Sequence, residues 1–213
     1  MSTSMLRLLL IRHGVTQWNL EGRLMGRLPI GLADQGRAQI RDLAGALANV
    51  PIDEIRSSPQ QRTQETAAII AEPQGLTVRI EPGLDEVWLG PRWQGRTFAE
   101  ARSDPDFIAL RRDPTLASDL IEPISQVQKR VVDVVDRLRR REKDRTVALV
   151  SHGDPLRVVL AHFLRMALAD FRRLTVETGS LSVVLSAQKR ESVVLLSWQP
   201  GNVADSVLLS SFF

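Results

Sequence analysis

The chain has 213 residues, 43% of them apolar and none of them cysteine. A sizeable core is therefore available, whereas disulfides, thiolate metal sites and a cysteine nucleophile are excluded. Twenty-eight basic against 25 acidic residues leave a net charge of +3, so the sequence pI of about 10.1 reflects arginines that do not titrate below about pH 12 and the lack of tyrosine, not a basic surface, and no nucleic-acid partner is expected.

No internal repeat, low-complexity tract or Ser/Gly-rich linker interrupts the chain, which reads as a single domain over residues 1–213. Residues 6–11 (LRLLLI) form a continuous apolar run of the kind that makes a strand buried on both faces. The run is short, carries Arg7 and lacks a small-residue cleavage site, so no signal peptide is expected. Nothing approaches the roughly 18 apolar residues of a membrane helix, so no membrane partner is expected either. With no cysteine, the chain fits a reducing, cytoplasmic setting.

Asp34 suits the cap of a helix over residues 34–48, with Ile40, Leu43 and Leu47 on one face. A short strand at 52–55 leads into Ser57-Ser58-Pro59. There a serine cap and a proline at the first helical position predict a helix running through Arg62 to about residue 71. Residues 76–80 read as another strand. The segment 82–120 is aperiodic, holds four of the eleven prolines and two of the four tryptophans, and reads as a lid-like stretch with short helical pieces.

Val127, Val131, Val134 and Leu138 line one face of a helix over 124–141, whose arginine-rich end suits the helix dipole. Residues 146–151 (TVALVS) form a second buried strand. Asp154-Pro155 then caps and starts a helix to about residue 164. Apolar runs at 181–185 and 193–198 flank Lys189-Arg190 as a closing hairpin. Strands alternating with helices predict an α/β fold: a three-layer α/β/α sandwich around a mostly parallel central sheet.

The two strands that read as most buried both end in histidine and glycine: Arg12-His13-Gly14 and Ser151-His152-Gly153. Ligands bind open parallel sheets at the carboxyl ends of their strands, so the two histidines are expected to face one crevice. A glycine after each lets the backbone turn and come close to a ligand. Arg12 leaves the same strand end, and Arg62 lies near the start of its helix. Two guanidiniums and a positive helix terminus suit a phosphate. The arginine charge opposes a metal at His13 and His152, and no ligand cluster has metal spacing, so neither metal nor cofactor is expected.

The stretches LIRHGVTQWN, IRSSPQQRTQETA, LDEVWLG and VALVSHGDPLR resemble, in order, the four sequence blocks of the histidine phosphatase superfamily, also called phosphoglycerate mutase-like. The resemblance implies that family's fold and the following roles. His13 is the nucleophile that forms a phosphohistidine, which needs a neutral imidazole with one nitrogen free and the other held by a backbone carbonyl. Arg12, Arg62 and His152 bind the phosphoryl oxygens and stabilise charge in the transition state. Glu86 is the general acid for the leaving alkoxide, its pKa raised by the neighbouring phosphate; outside this context it would read as a solvated loop carboxylate. Asn19 matches a position that contacts phosphate and equally suits a helix cap. His162 matches no motif and reads as structural, and Ser57 and Ser58 read as caps.

The chain departs from the family pattern at three places. Met25 precedes Gly26 where many members have a polar residue, removing a hydrogen bond to substrate. Gly90-Pro91-Arg92-Trp93 is one residue longer than usual and is followed by Gln94 where an acid is common. Asp154 stands where mutases have asparagine. The lack of tyrosine and the modest length favour a metal-independent phosphomonoester hydrolase acting on a small phosphorylated metabolite such as a sugar phosphate. A phosphoglycerate mutase and an inactive phospho-ligand binder are the alternatives. Trp88, Trp93, Phe98 and Phe107, with Arg92, Arg96, Arg102, Arg111 and Arg112, either pack the lid and face water or cover the pocket and favour an acidic or bisphosphorylated ligand. A phosphoprotein substrate and a homodimer both stay open.

Overall fold

In the computed structural model, residues 5–116, 118–141, 144–187 and 190–201 are described. Strand β1 (Met5–Arg12) shows why an unbroken apolar run is needed: Leu8 and Leu10 enter one core, Leu9 and Ile11 the other. Successive side chains of a strand point to opposite faces, so a strand covered on both sides needs apolar residues at every step. Strand β4 (Arg145–Ser151) repeats the pattern, with Val147 and Leu149 facing one way and Ala148 and Val150 the other.

Six strands form one mixed sheet in the order β3-β2-β4-β1-β5-β6. β2 (Glu54–Ser57) and β3 (Val78–Ile80) join β4 and β1 in parallel, while β5 (Leu181–Ala187) and β6 (Arg190–Trp198) close one edge as an antiparallel hairpin. The minor helix α1 (Gln17–Leu20) follows β1. Helices α2 (Asp34–Ala46) and α3 (Gln61–Ala71) bury Ile40, Leu43 and Ile70 in one core. The other core receives Val127, Val131, Val134 and Leu138, read above as one helical face, together with Val158 and Leu160 of the last helix. The sandwich is thus a three-layer α/β/α arrangement, and the β1–β4 pair lies in the middle of its sheet. Among the described residues no helix is long and apolar enough to cross a membrane.

The segment 82–120 carries two short helices, α4 (Phe98–Ala101) and α5 (Pro105–Arg112), and a small core of its own. Leu89, Trp93, Ala101 and Phe107 are buried there together. The longer Gly90–Trp93 stretch is a turn, closed by the Trp93 N–H on Gly90 O at 3.2 Å. It places Trp93 fully inside, with its Nε1–H on Asp104 Oδ2 at 2.8 Å. Gln94 donates to the Leu89 carbonyl. Helix α6 (Ile124–Arg141) and helix α7 (Gly153–Phe163) complete the set.

Several boundaries differ from the sequence reading. The cap of α2 is Ala33, and Asp34 sits inside the first turn, where its charge still favours the helix N-terminus. Helix α3 starts at Gln61 rather than Pro59; the Ser58 hydroxyl accepts the Gln60 N–H at 3.3 Å and also meets His152 across the sheet, and Ser57 donates to the Ser58 carbonyl. Helix α7 is preceded by His152, and Asp154 pairs with Arg157 at 2.8 Å instead of capping. Strands 52–55 and 76–80 shift to Glu54–Ser57 and Val78–Ile80, because pairing with β4 and β2 sets their register. Lys189 of the hairpin, and Glu142 and Lys143 of the arginine-rich run, lie outside the described residues.

Candidate active site

β1 and β4 are parallel neighbours with Arg12 opposite Ser151, so the next residue of each strand is a histidine at the same level. The His13 N–H donates to Ser151 O at 3.1 Å, and the two rings lie edge to face with centroids 5.3 Å apart. His13 is 1% exposed and His152 is fully buried. His13 Nδ1 is 2.8 Å from Gly14 O. A carbonyl only accepts, so Nδ1 carries the proton and Nε2 keeps its lone pair.

The glycines act differently from the sequence reading. Neither Gly14 nor Gly153 has a positive φ. A Cβ on Gly14 would meet Gly36 O at 2.7 Å, so the chain after β1 lies directly on the backbone of α2. A Cβ on Gly153 would have only ordinary contacts, 3.5 Å from Arg12 and Arg157.

Both arginines are tied down by main-chain carbonyls. Arg12 Nη1 donates to Val176 O at 2.7 Å, while Arg62 Nη2 donates to Gly26 O at 2.9 Å and its Nη1 to Leu28 O at 3.2 Å. Carbonyls fix a guanidinium without neutralising it, so both positive charges remain for a ligand. Arg12 Nε and Arg62 Nε are buried N–H donors without a protein partner. An unmet buried donor typically costs about 1–3 kcal/mol, and such atoms are what an anion-binding pocket requires. Burial first, then Arg62 and Arg12, hold His13 well below the ordinary histidine pKa of 6.5, and burial, Arg62, His13 and Arg12, in that order, do the same to His152. Both rings are neutral at neutral pH.

His152 Nε2 lies 2.8 Å from Ser58 Oγ, which is itself 3.3 Å from Asp85 Oδ1. Its Nδ1 is 3.7 Å from Glu86 Oε2. Glu86 is pushed up to about 7, mainly by burial; Arg62 opposes the rise and Asp154 adds to it. A carboxyl at that value holds its proton through mildly acidic pH and can give it up near neutrality.

The loop carrying Glu86 is held by residues that the sequence reading missed. Arg130 of α6 donates to the carbonyls of Gly83, Asp85 and Glu86 at 2.9, 2.6 and 3.1 Å. Arg27 Nε adds a bond to Glu86 O at 2.8 Å. Glu122 ties both guanidiniums together, and Ser151 Oγ donates to Leu84 O at 2.7 Å. No local spacing announces these contacts, although an arginine on the buried side of an otherwise valine-lined helix is a signal in hindsight.

Asn19 is the N3 partner of a capping box whose N-cap is Thr16: its Oδ1 accepts from the Thr16 N–H and hydroxyl, both at 3.0 Å. It also lines the same cleft as Arg12 and Glu86. Met25 lines that cleft too, its sulfur 3.3 Å from the Thr16 hydroxyl. His162 is exposed in the last turn of α7 and is not among the cleft walls. Trp93 is buried in the 82–120 core rather than over the pocket, and Arg92 is committed to Asp104 and Asp106. Among the described residues no group of three or more His, Asp or Glu is placed to hold a metal ion.

Comparison with known proteins identifies the family. The family model for the histidine phosphatase superfamily (branch 1) matches residues 8–199. Phosphoserine phosphatase 1 of Hydrogenobacter thermophilus is 31% identical over 91% of this chain and 92% of its own length. Glucosyl-3-phosphoglycerate phosphatase of Mycobacterium tuberculosis is 31% identical over 94% and 90% respectively. The solved structure of a mycobacterial glucosyl-3-phosphoglycerate phosphatase superposes with a TM-score of 0.80 at 29% identity, covering 91% of this chain and 99% of that one. The chain belongs to the histidine phosphatase superfamily, branch 1, and its chemistry is phosphomonoester hydrolysis.

Proposed function

We propose that the protein hydrolyses a small phosphorylated metabolite without a metal, by two successive phosphoryl transfers through His13, and that the whole chain forms one domain whose 82–120 segment walls the substrate cleft. One observation carries the reading: His13 presents a bare Nε2 among buried, unpartnered N–H groups of Arg12 and Arg62. The relatives' named substrates, phosphoserine and glucosyl-3-phosphoglycerate, are small-molecule phosphates and support the size class.

In the first step His13 Nε2 attacks phosphorus while the bond to the leaving oxygen breaks, and Glu86 gives that oxygen its proton. Arg12 and Arg62 hold the phosphoryl oxygens, and His152 Nδ1 faces them. In the second step Glu86, now a carboxylate, takes a proton from a water that attacks phosphorus. The P–N bond breaks, releasing inorganic phosphate and returning His13 to its neutral form. Charge stabilisation comes from arginines already fixed by carbonyls, so little reorganisation accompanies the transfer.

The test is release of p-nitrophenol from p-nitrophenyl phosphate in EDTA between about pH 5 and 8, with wild type and His13→Ala side by side. Turnover by wild type that falls by about 10³-fold or more in the variant is expected. Equal rates in the two proteins, or loss of wild-type activity on adding EDTA, would overturn the reading. Transfer to a second hydroxyl in place of phosphate release would mark a mutase instead.

A further inference from the structure

His152 turns Nδ1 toward the phosphoryl pocket, and its other nitrogen meets two residues that the proposed mechanism does not use. Nε2 lies 2.8 Å from Ser58 Oγ, and both residues are fully buried. Ser58 Oγ also accepts the Gln60 N–H at 3.3 Å and lies 3.3 Å from Asp85 Oδ1. A serine hydroxyl has one proton and two lone pairs. Gln60 occupies one lone pair, so one proton and one lone pair remain for two neighbours. Asp85, as a carboxylate, only accepts, and it is held in place. Its Oδ1 takes Gln60 Nε2 and the Glu86 N–H, both at 2.8 Å, and its Oδ2 pairs with Arg27 at 3.2 Å.

Two arrangements satisfy this count. With the hydroxyl proton directed to His152 Nε2, the ring is neutral and carries its single proton on Nδ1. With the hydroxyl turned to Asp85, Ser58 accepts from an Nε2–H, and Nδ1 can hold a proton at the same time. Only the second arrangement accommodates an imidazolium. The groups facing the ring oppose that state in the empty site: burial first, then Arg62 of α3, His13 and Arg12 of β1, and Arg130 of α6. Glu86 faces it from the loop, with Oε2 3.7 Å from Nδ1. A dianion bound between Arg12 and Arg62 cancels two of these charges and sets an acceptor oxygen at Nδ1. A hydrogen bond from an ionised donor is then roughly twice as strong as a neutral one.

We propose that Ser58 and Asp85 are positioning residues that make His152 a ligand-driven proton switch. In the empty site the Ser58 hydroxyl points to His152 Nε2; when a phosphoryl dianion enters, it turns to Asp85 Oδ1 and the ring gains one proton. That proton comes from solvent, leaves the ring with an N–H at both nitrogens, and returns to solvent when phosphate departs. The pocket thus gains a third cation only while an anion is present, and it avoids three unpaired buried charges when empty. This rests on the phosphatase reading for the phosphoryl group as the natural dianion.

Tungstate tests the switch, because it is a tetrahedral dianion that brings no proton of its own. It is titrated into wild type, Ser58→Ala and Asp85→Asn at about pH 7.5, where an ordinary histidine is neutral. Long-range proton–nitrogen NMR of the labelled imidazoles tells bare from protonated ring nitrogens, with the exposed His162 as an internal reference. In wild type, tungstate is expected to convert His152 from one protonated nitrogen to two. In Ser58→Ala the ring is expected to stay singly protonated and tungstate to bind roughly tenfold more weakly. Asp85→Asn keeps an acceptor oxygen without its charge, so its tungstate complex should lose the second proton at lower pH than wild type. A wild-type ring that stays singly protonated, a Ser58→Ala ring that gains the proton, tungstate affinity within twofold of wild type in Ser58→Ala, an Asp85→Asn complex that titrates as wild type does, or no tungstate binding by wild type would each overturn the switch. Hydrolysis of p-nitrophenyl phosphate by the same wild-type sample reads the phosphatase assignment independently.

Discussion

The strand-end pocket and the 82–120 wall are built in opposite ways. His13, Arg62 and His152 are at most 1% exposed and are held by the β1–β4 register, backbone carbonyls and a serine that is itself buried. The wall has a separate core around Trp93 and Phe107, and it presents the cleft with residues such as Phe98 at 40% exposure. Chemistry is thus fixed to the most constrained part of the sheet, where moving one group would disturb a ladder of main-chain bonds. In the proposed reaction the leaving group meets a satellite with a core of its own, separate from that ladder. This division explains how the Gly90–Trp93 extension is accommodated: the extra residue is absorbed in a turn inside the wall, whereas the spacing around both histidines needs no adjustment.

The largest expected effect lies in the pocket. Arg62→Ala removes a buried charge that acts on both histidines and Glu86, and kcat/KM for p-nitrophenyl phosphate is expected to fall about 10²- to 10³-fold. A loss under tenfold would break the claim that the pocket carries the chemistry.

Glu86→Gln is expected to slow hydrolysis of an alkyl phosphate about 10²-fold and that of p-nitrophenyl phosphate much less, because nitrophenolate leaves without a proton. With Glu86 raised to about 7, the wild-type rate on the alkyl ester should decline above about pH 7, and this limb should be missing in the variant. The sign for stability is the same. A carboxyl raised in the folded state disfavours folding above pH 7, and that penalty fades as pH falls toward its ordinary 4.5. Glu86→Gln should therefore melt higher than wild type at pH 8, with the difference closing by about pH 5. The two histidines act oppositely: lowered in the folded state, they withdraw stability as pH falls below 6.5.

Arg130→Met keeps the apolar face of α6 but releases three carbonyls of the Glu86 loop. Its kcat on alkyl phosphates should fall roughly tenfold with KM nearly constant, and the decline above pH 7 should shift; an unchanged pH profile would mean that the loop needs no clamp. The smallest catalytic effect is expected in the wall. Asp104→Ala unpairs the Trp93 indole N–H, leaves Arg92 with Asp106 alone and removes the side-chain cap of α5, and should lower stability by about 1–3 kcal/mol. p-Nitrophenyl phosphate turnover should stay within about threefold of wild type. A collapse of turnover there would erase the distinction between the two regions.

What was legible in the sequence was local or nearly so. Both buried strands showed in uninterrupted apolar runs, α6 in its valine spacing, and His13, His152, Arg12, Arg62, Glu86 and Asn19 in short blocks whose order matched a family. What only the tertiary structure decided depends on contacts between distant segments. Ser58 reads as a cap and does accept the Gln60 N–H, but its hydroxyl also meets His152 at a separation of 94 residues. Arg130 reads as one more helical arginine but reaches a loop more than 40 residues away. Gly14 is required by the backbone of α2 rather than by its own φ, and Arg111 meets Arg172 only because α5 and the turn after α7 come together. Periodicity and capping are properties of neighbours along the chain. A hydrogen bond between elements is set by how the layers pack, and a single sequence does not carry that distance.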